Sequence, residues 1–273
     1  MGKFKVMHAP QQAVLAHRPA SPIPAEPASK MTQTTDTDVL IVGAGPVGLV
    51  TALMIAKQGI RVTVLEASHE VIQSPRAMAY GVAAVEVLES AGIAQECRDT
   101  GLGDADYIRW ITVDGKVIAK IPRPQARYDP VICGQHLVAA IILKHLEPYP
   151  HAKVIFNHKL VNLKDHGDSV TAVCDTPDGQ KEFTGKYLVG ADGARSTVRK
   201  LIGCTFEGFT YDKMVVATNV HYPFQEHGFS FAQFIVHPEH FALVTPSSVW
   251  LTCRLQKSTD MAYGAVHTEK TPP

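Results

Sequence analysis

The chain has 273 residues, and its 26 basic and 26 acidic residues give a formal net charge of zero at pH 7. This balance argues against a nucleic-acid surface or a polybasic membrane arm, and no apolar run reaches the length of a membrane span. The five cysteines form no CxxC pair, which favours free thiols in a reducing, cytoplasmic compartment over a disulfide scaffold or a zinc site. The stretch His237-Pro238-Glu239-His240 does not match a helical metal motif because proline opposes the helix, so no metal is expected.

The N-terminal segment is rich in Pro, Ala, Thr and Gln and shows no apolar period. We expect residues 1–37 to be a disordered extension, since such a composition buries too little apolar surface to fold. A second interpretation is that the folded protein begins near Met31, just before the first strand.

A nucleotide-binding unit begins at Asp38. The apolar run 39–42 is typical of a buried parallel strand, and the turn Gly43-Ala44-Gly45-Pro46-Val47-Gly48 follows it. Residues 49–57 continue as an apolar helix, and a second strand ends on Glu66. Strand, GxGxxG, helix, strand and acid in this order are typical of a dinucleotide-binding fold. The alternative is an ordinary βα turn in a doubly wound sheet.

Each glycine of this turn has an expected physical role. Gly43 permits the tight turn, Gly45 lets the backbone approach a pyrophosphate, and Gly48 lets the helix pack against the strand. The helix N-terminus presents free N–H groups and a positive dipole end to phosphates. Glu66 is placed to accept hydrogen bonds from an adenosine ribose, and its charge disfavours a 2′-phosphate. The unit therefore indicates FAD or NAD before NADP.

Helical and strand patterns then alternate along the chain. The sequence predicts a hairpin that turns at Asp114-Gly115, helices over 82–90 and 135–146, and short strands over 153–157, 160–164, 170–175 and 181–189. A βαβ half interrupted by an antiparallel insertion predicts an α/β fold. We expect a Rossmann-type cofactor domain with an inserted, mainly antiparallel β substrate domain.

Residues 188–196 form a second informative segment. A buried strand ends on Gly190, Asp192-Gly193 makes a turn, and Ser196 is placed to cap a helix over 197–202. The start of this helix is again expected to present N–H groups to an anion. The alternative is a strand–turn–helix corner with a capping serine and no ligand.

The Gly43 turn and the Asp192 segment together resemble the class A flavoprotein monooxygenases, the aromatic hydroxylases that share the p-hydroxybenzoate hydroxylase fold. Pro75-Arg76-Ala77 is similar to the family segment whose arginine approaches the cofactor. Gln135-His136-Leu137 is similar to the helix start whose glutamine contacts the flavin region. The stretch 220–240 looks like the phenol-hydroxylase branch, and the resemblance covers roughly residues 38–243.

This resemblance implies an FAD site made by Gly43, Gly45, Gly48, Glu66, Arg76, Gln135, Asp192 and Gly193. For Arg76 the alternative is a surface arginine, and for Gln135 it is a polar helix cap. In this family NAD(P)H reduces FAD, the reduced flavin and O2 form a C4a-hydroperoxide, and one oxygen passes to a small phenolic or polyketide-like ring. No catalytic base can be named. The side chains that either face a ring pocket or pack in a sheet core are Tyr211, His221, Tyr222, Phe229 and Phe231.

The family's third conserved segment, a Gly-Asp motif that closes over the flavin, has no counterpart in this sequence. The resemblance therefore implies a C-terminally truncated chain with an incomplete substrate domain. Two alternatives to an active monooxygenase stay open. The first is an inactive flavin-binding remnant or a fragment that depends on a partner, and the second is an NAD-dependent dehydrogenase.

The expected domain division follows from the resemblance. Residues 38–106 and 126–204 are expected to form the FAD-binding domain, 107–125 and 205–255 a partial substrate domain, and 256–273 a frayed tail. An incomplete domain leaves apolar faces and a sheet edge uncovered, so a homodimer or a completing polypeptide is the expected macromolecular partner. The expected small ligands are an aromatic substrate, O2 and NAD(P)H.

Overall fold

The structure is a computed structural model that describes residues 33–73, 76–101, 107–122, 130–210, 215–220, 226–229, 232–238, 241–245 and 251–256. Among the helices within these ranges, none is both long and apolar enough to cross a membrane.

The elements follow one another with short connections. The chain begins with β1 (Gln33–Val42), α1 (Pro46–Lys57), β2 (Val62–Leu65), β3 (Ala79–Tyr80), α2 (Val82–Ser90), α3 (Ala94–Thr100), β4 (Tyr107–Thr112), β5 (Val117–Pro122), β6 (Val131–Ile132) and α4 (Gln135–Leu146). It continues with β7 (Ala152–Ile155), β8 (Lys159–Asp165), β9 (Val170–Thr176), β10 (Gly179–Gly190), α5 (Thr197–Leu201), β11 (Val215–Val220), β12 (Gln233–Val236), β13 (Ala242–Thr245) and β14 (Leu251–Gln256). The bounds of α2 and α4 are those that the sequence predicts. α1 begins earlier than expected, because Pro46 fits the first turn of a helix.

The first sheet has the strand order β7-β2-β1-β10-β9-β8. β7, β2, β1 and β10 run parallel, while β9 and β8 join through antiparallel pairs. The carboxyl ends of the parallel strands therefore meet at one edge, which is where ligands bind in open α/β sheets. This is the Rossmann-type arrangement that the sequence predicts.

β1 is buried on both faces of this sheet. Val39 and Ile41 pack in a core with helices α1 and α4. Leu40 and Val42 pack in a second core on the opposite face, together with Phe183. Because alternate residues of a strand point to opposite faces, a continuous apolar run suits a central parallel strand.

β1 also extends into the segment 1–37 that the sequence predicts to be disordered. Gln33 pairs with Glu182, and Thr34 pairs with Phe183 of β10. The expectation is therefore wrong for residues 33–37, because pairing with β10 orders a stretch whose own composition carries no strand signal. The second interpretation, a fold that begins near Met31, agrees with this strand.

The second sheet has the order β11-β14-β13-β12-β4-β5. Neighbouring strands of this sheet run antiparallel, except for β12 and β4, which run parallel to each other. The predicted β4–β5 hairpin is present, and Gly115 in its turn has φ +85°. Trp110 stacks on Phe234 of β12, with ring centroids 5.0 Å apart. This is the mainly antiparallel sheet that the sequence predicts.

Candidate cofactor-binding site

The turn after β1 is held at the centre of the first sheet. Gly43 donates its N–H to the carbonyl oxygen of Leu65 at 2.8 Å, and Ala191 donates to that of Val42 at 2.8 Å. Gly43 has φ +105°, and a Cβ built on it would lie 2.6 Å from the carbonyl oxygen of Ala191. Glycine is therefore required here by the backbone conformation and by the close approach of the chain that leaves β10.

The other two glycines of the turn have opposite environments. A Cβ on Gly48 would lie 1.9 Å from the carbonyl oxygen of Gly43, so α1 packs directly on the turn. A Cβ on Gly45 would meet no described atom within 4 Å. Gly45 therefore borders open space, which is the environment that a closely bound phosphate group needs.

The N-terminus of α1 borders the same space. Its hydrogen-bonded turns begin with the bond from the N–H of Leu49 to the carbonyl oxygen of Gly45 at 2.9 Å. The N–H groups of Val47 and Gly48 come before that bond, and Pro46 has no N–H. Backbone donors and the positive end of the helix dipole therefore favour an anion at this point.

The carboxylate of Glu66 is fixed by the backbone on both sides. Its Oε2 accepts a hydrogen bond from the N–H of Ala44 at 2.7 Å, and its Oε1 accepts one from Ser68 at 2.8 Å. Each carboxylate oxygen has a further lone pair with which to accept a ligand hydroxyl. The acid that the sequence assigns to a ribose is therefore oriented by the protein itself.

Asp192 closes the start of α5. Its Oδ2 accepts hydrogen bonds from the N–H groups of Thr197 at 2.6 Å and Val198 at 3.1 Å, and its Oδ1 accepts one from the hydroxyl of Ser196. Ser196 Oγ accepts from the N–H of Arg199 at 3.0 Å, so its predicted capping role is confirmed. The expectation of an anion site at this helix start is wrong, because its first donors are already paired and the nearby carboxylate repels an anion.

Arg76 and Gln135 lie on two segments that are joined by backbone hydrogen bonds. The N–H of Gln135 donates to Ala77 at 2.9 Å, and that of Cys133 donates to Met78 at 2.8 Å. Arg76 has φ +34°, a backbone conformation that few residues other than glycine adopt. The neighbouring hydrogen bonds offset this local cost and hold the arginine beside the start of α4.

One cleft of about 460 Å³ lies at the carboxyl ends of the parallel strands. Seven of the eight residues assigned to the cofactor line it, namely Gly43, Gly45, Glu66, Arg76, Gln135, Asp192 and Gly193. Gly48 is not in the lining and contributes through the packing of α1. The structure therefore brings together residues that are widely separated in the chain.

The cleft also contains residues that sequence reasoning missed. His158 and Lys159 form part of its wall. The N–H of His158 donates to the carbonyl oxygen of Glu66 at 2.8 Å, which joins this wall to the end of β2. One sequence signal could have found them: they follow β7, a parallel strand whose carboxyl end lies at the same sheet edge.

Of the five side chains considered for a ring pocket, the structure describes one. Tyr211, His221, Tyr222 and Phe231 lie outside the described residues, and Phe229 is half-buried. A role for them in substrate binding stays a prediction.

Two buried cysteines, Cys97 and Cys174, are poor candidates for catalysis. Cys97 and Cys133 are fully buried and hydrogen-bonded to each other. That hydrogen bond, together with burial, raises the pKa of Cys97 far above its usual range, and burial raises the pKa of Cys174 to about 12. A thiol that stays protonated is a weak nucleophile, so Cys97 and Cys174 have a structural role.

Residues 36–267 match the FAD binding domain family. The chain belongs to this family. Its relatives place it among the class A flavoprotein monooxygenases, as the resemblance of its motifs implies. The para-nitrophenol 4-monooxygenase of Pseudomonas sp. (strain WBC-3) is 37% identical over 223 residues, which cover 79% of this chain and 55% of that protein. The 3-(3-hydroxy-phenyl)propionate/3-hydroxycinnamic acid hydroxylase of Paraburkholderia xenovorans (strain LB400) is 34% identical over 199 residues, which cover 71% of this chain and 32% of that protein.

Solved structures of the family share the fold. The crystal structure of p-nitrophenol 4-monooxygenase PnpA from Pseudomonas putida DLL-E4 matches with a TM-score of 0.78 and 33% identity, over 84% of this chain and 60% of that chain. The flavin-dependent monooxygenase PieE, in complex with FAD and substrate, matches with a TM-score of 0.75 and 21% identity, over 87% of this chain and 46% of that chain, which supports the fold alone. The chain spans 55% and 32% of the length of the two relatives, and 60% and 46% of the two solved chains.

FAD is the cofactor of this family, with NAD(P)H as its co-substrate, and the cleft fits FAD. Gly45 leaves space beside the helix N-terminus for a pyrophosphate, and Glu66 supplies an oriented acceptor for a ribose. Relatives that are monooxygenases do not support the alternative of an NAD-dependent dehydrogenase.

Proposed function

We propose that the cleft at the carboxyl ends of β1, β2 and β10 binds FAD, and that the protein hydroxylates a small phenolic or polyketide-like ring with NAD(P)H and O2. The observation that carries this proposal is the open space at Gly45, which adjoins the N-terminus of α1 and lies beside the fixed carboxylate of Glu66. An anion-binding point next to a hydroxyl acceptor matches the pyrophosphate and ribose of a dinucleotide.

The proposed FAD contacts divide into three groups. Gly43, Gly45 and Gly48 shape the pyrophosphate site, and Glu66 accepts from the ribose. Arg76 and Gln135, which enter the cleft from joined segments, are assigned to the flavin side. Asp192 has one lone pair left, on Oδ1, after capping α5 and accepts with it from a hydroxyl of the cofactor. The exposed Gly193 lets the cofactor lie close to the backbone.

Bound FAD supplies the redox chemistry of hydride acceptance and oxygen activation. The contribution of the protein is binding and orientation. Backbone donors at α1 neutralise phosphate charge, and Arg76 adds a cation at the cleft. No described side chain is assigned as the catalytic base.

The domain division expected from the sequence is part of this proposal. Residues 38–106 and 126–204 would hold the cofactor, and 107–125 and 205–255 would contribute to the substrate side. Because apolar side chains such as Val113 and Ile118 are exposed at the β4–β5 hairpin, a homodimer or a completing polypeptide is the proposed partner. A cytoplasmic location likewise belongs to the proposal.

The test is flavin retention by the purified chain after gel filtration, measured by visible absorbance. FAD and FMN are added to separate samples, since FMN lacks the adenosine that Glu66 is assigned to bind. We expect FAD to be retained and FMN to be lost, followed by NAD(P)H oxidation that a phenol stimulates. Loss of both flavins would contradict the assignment of the cleft. Retention of FAD without stimulated oxidation would support the flavin-binding remnant.

A further inference from the structure

Two polar side chains lie side by side in the second sheet and are incompletely paired. Arg109 of β4 and Gln233 of β12 are register partners in neighbouring parallel strands. Gln233 is fully buried, with a relative exposure of 0%. Buried polar atoms are normally hydrogen-bonded, so each exception calls for a physical explanation.

Both side chains donate to the same acceptor. Gln233 Nε2 donates to the carbonyl oxygen of Gly228 at 3.0 Å, and Arg109 Nη2 donates to that same oxygen. The two donor nitrogens are therefore no more than about 6 Å apart, given ordinary hydrogen-bond lengths. The guanidinium and the amide thus share one small region of the sheet face.

Each of the two side chains keeps a second polar atom that is buried. Arg109 Nε, a donor, and Gln233 Oε1, an acceptor, have no hydrogen-bond partner in the structure as described. An unpaired donor beside an unpaired acceptor is the complement of a hydroxyl group, which accepts one hydrogen bond and donates another. A carboxylate would leave the acceptor of Gln233 unpaired, and an ammonium group would leave the donor of Arg109 unpaired.

The surroundings of this pair are apolar. Val244 is the register partner of Gln233 on β13, and Ile111 follows Arg109 on the same face of β4. Val244 and Ile111 are 4% and 6% exposed. A few oriented polar atoms within an apolar lining are typical of a site for a small aromatic molecule.

We propose that Arg109 and Gln233 bind the phenolic hydroxyl of the aromatic substrate. This inference rests on the proposed monooxygenase function and names the residues that recognise the substrate. The hydroxyl accepts from Arg109 Nε and donates to Gln233 Oε1, while the ring lies against the apolar residues of the sheet. The exposed turn that contains Gly228 lies beside the pair, since its carbonyl oxygen accepts from both side chains.

A series of three ligands tests this assignment on the unmodified chain. The ligands differ only in the group opposite the nitro group, and the pH is kept low enough for p-nitrophenol to stay protonated. At that position p-nitrophenol donates and accepts, p-nitroanisole only accepts, and nitrobenzene does neither. We expect p-nitrophenol to bind about tenfold more tightly than p-nitroanisole, with nitrobenzene weakest, because a missing partner leaves a buried polar atom unpaired. Equal affinity for all three, measured by difference absorbance, would show that the pair holds only a water molecule and would overturn the proposal.

Variants of the pair give an independent readout. Gln233→Leu is expected to lower the affinity for p-nitrophenol about tenfold, to the level of p-nitroanisole, and to leave nitrobenzene unchanged. Arg109→Met is expected to weaken the binding of p-nitrophenol and p-nitroanisole. Gln180→Leu, at an exposed glutamine of β10, is the matched control and should change none of the affinities. Circular dichroism and gel filtration check the fold, and the ligand series decides the question if a variant does not fold.

Flavin retention is measured on the same samples, so the two proposals fail separately. Discrimination between the ligands without bound FAD would contradict the proposed function and leave this inference standing. Bound FAD without discrimination would contradict this inference alone.

Discussion

The carboxylate of Glu66 accepts a hydrogen bond from the backbone N–H of Ala44 at 2.7 Å, which ties the end of β2 to the middle of the glycine turn. Ser68 donates to the other carboxylate oxygen at 2.8 Å. The acid therefore has two functions, since it holds the turn in shape and presents lone pairs to the cleft.

Glu66→Gln should separate these functions. The amide oxygen can replace one acceptor, but the amide nitrogen cannot accept from a backbone N–H. We expect a loss of stability of about 1 kcal/mol and FAD binding that is about tenfold weaker, as measured by thermal unfolding and flavin fluorescence. Glu207→Gln, at an exposed glutamate, is the control. Unchanged FAD affinity in Glu66→Gln would remove this residue from the proposed site.

Gly45 and Gly48 should respond differently to alanine. A methyl group on Gly48 would overlap the carbonyl oxygen of Gly43, so Gly48→Ala should destabilise the fold by roughly 1–3 kcal/mol or more. Gly45→Ala meets open space, so it should leave the melting temperature nearly unchanged and weaken FAD binding. The assignment of Gly45 fails if its alanine variant binds FAD as the unmodified chain does.

Asp192→Ala and Ser196→Ala form a matched pair at the start of α5. Ser196→Ala removes the cap of Arg199 and should cost about 1 kcal/mol. Asp192→Ala leaves two N–H groups unpaired and should cost roughly 1–3 kcal/mol. If Asp192 also contacts FAD, its variant should lose about tenfold more affinity than Ser196→Ala. Similar affinities in the two variants would mean that Asp192 only caps the helix.

Glu96 provides a pH-dependent contact between α3 and α4. Its carboxylate bonds His145 at 2.7 Å and Lys144 at 2.9 Å, and these bonds lower its pKa below the ordinary value of 4.5. A carboxyl group whose pKa is lower in the folded state stabilises the fold above its unfolded pKa, and this contribution is lost as pH falls. We expect Glu96→Gln to melt at a lower temperature than the unmodified chain at pH 7.

The difference in melting temperature between Glu96→Gln and the unmodified chain should shrink as the pH falls below 4.5. Glu96 then becomes protonated, so the unmodified chain also lacks a charge at this position. Glu147→Gln, at the exposed C-cap of α4, is the control. A difference that persists unchanged at low pH would show that packing rather than charge explains the effect of Glu96→Gln.

Much of the first sheet is predictable because its signals are local. Glycines at 81 and 134 precede α2 and α4, whose apolar spacing defines the rest of each helix. The four-residue apolar run of β1 likewise predicts a strand that is buried on both faces. The glycine turn is recognised from its own residues, and so is the serine cap of α5.

Elements that depend on distant partners are not predictable in this way. α3 reads Ala-Gln-Glu-Cys-Arg-Asp-Thr, in which Ala94 and Cys97 are the buried residues, so it has little apolar period. β3 and β6 have two residues each and exist through their mutual pairing. The wall at His158 and the Arg109–Gln233 pair also result from tertiary contacts, which a linear pattern does not encode.

The contact between Gly43 and Ala191 has a consequence for folding kinetics. The glycine turn lies near the beginning of the chain, yet one of its walls comes after β10, and β1 is flanked by that strand over its whole length. Contacts between distant parts of a chain form slowly, because a long loop must first be closed. The glycine turn is therefore expected to be completed late, and the proposed FAD site would form only after β1 and β10 have paired.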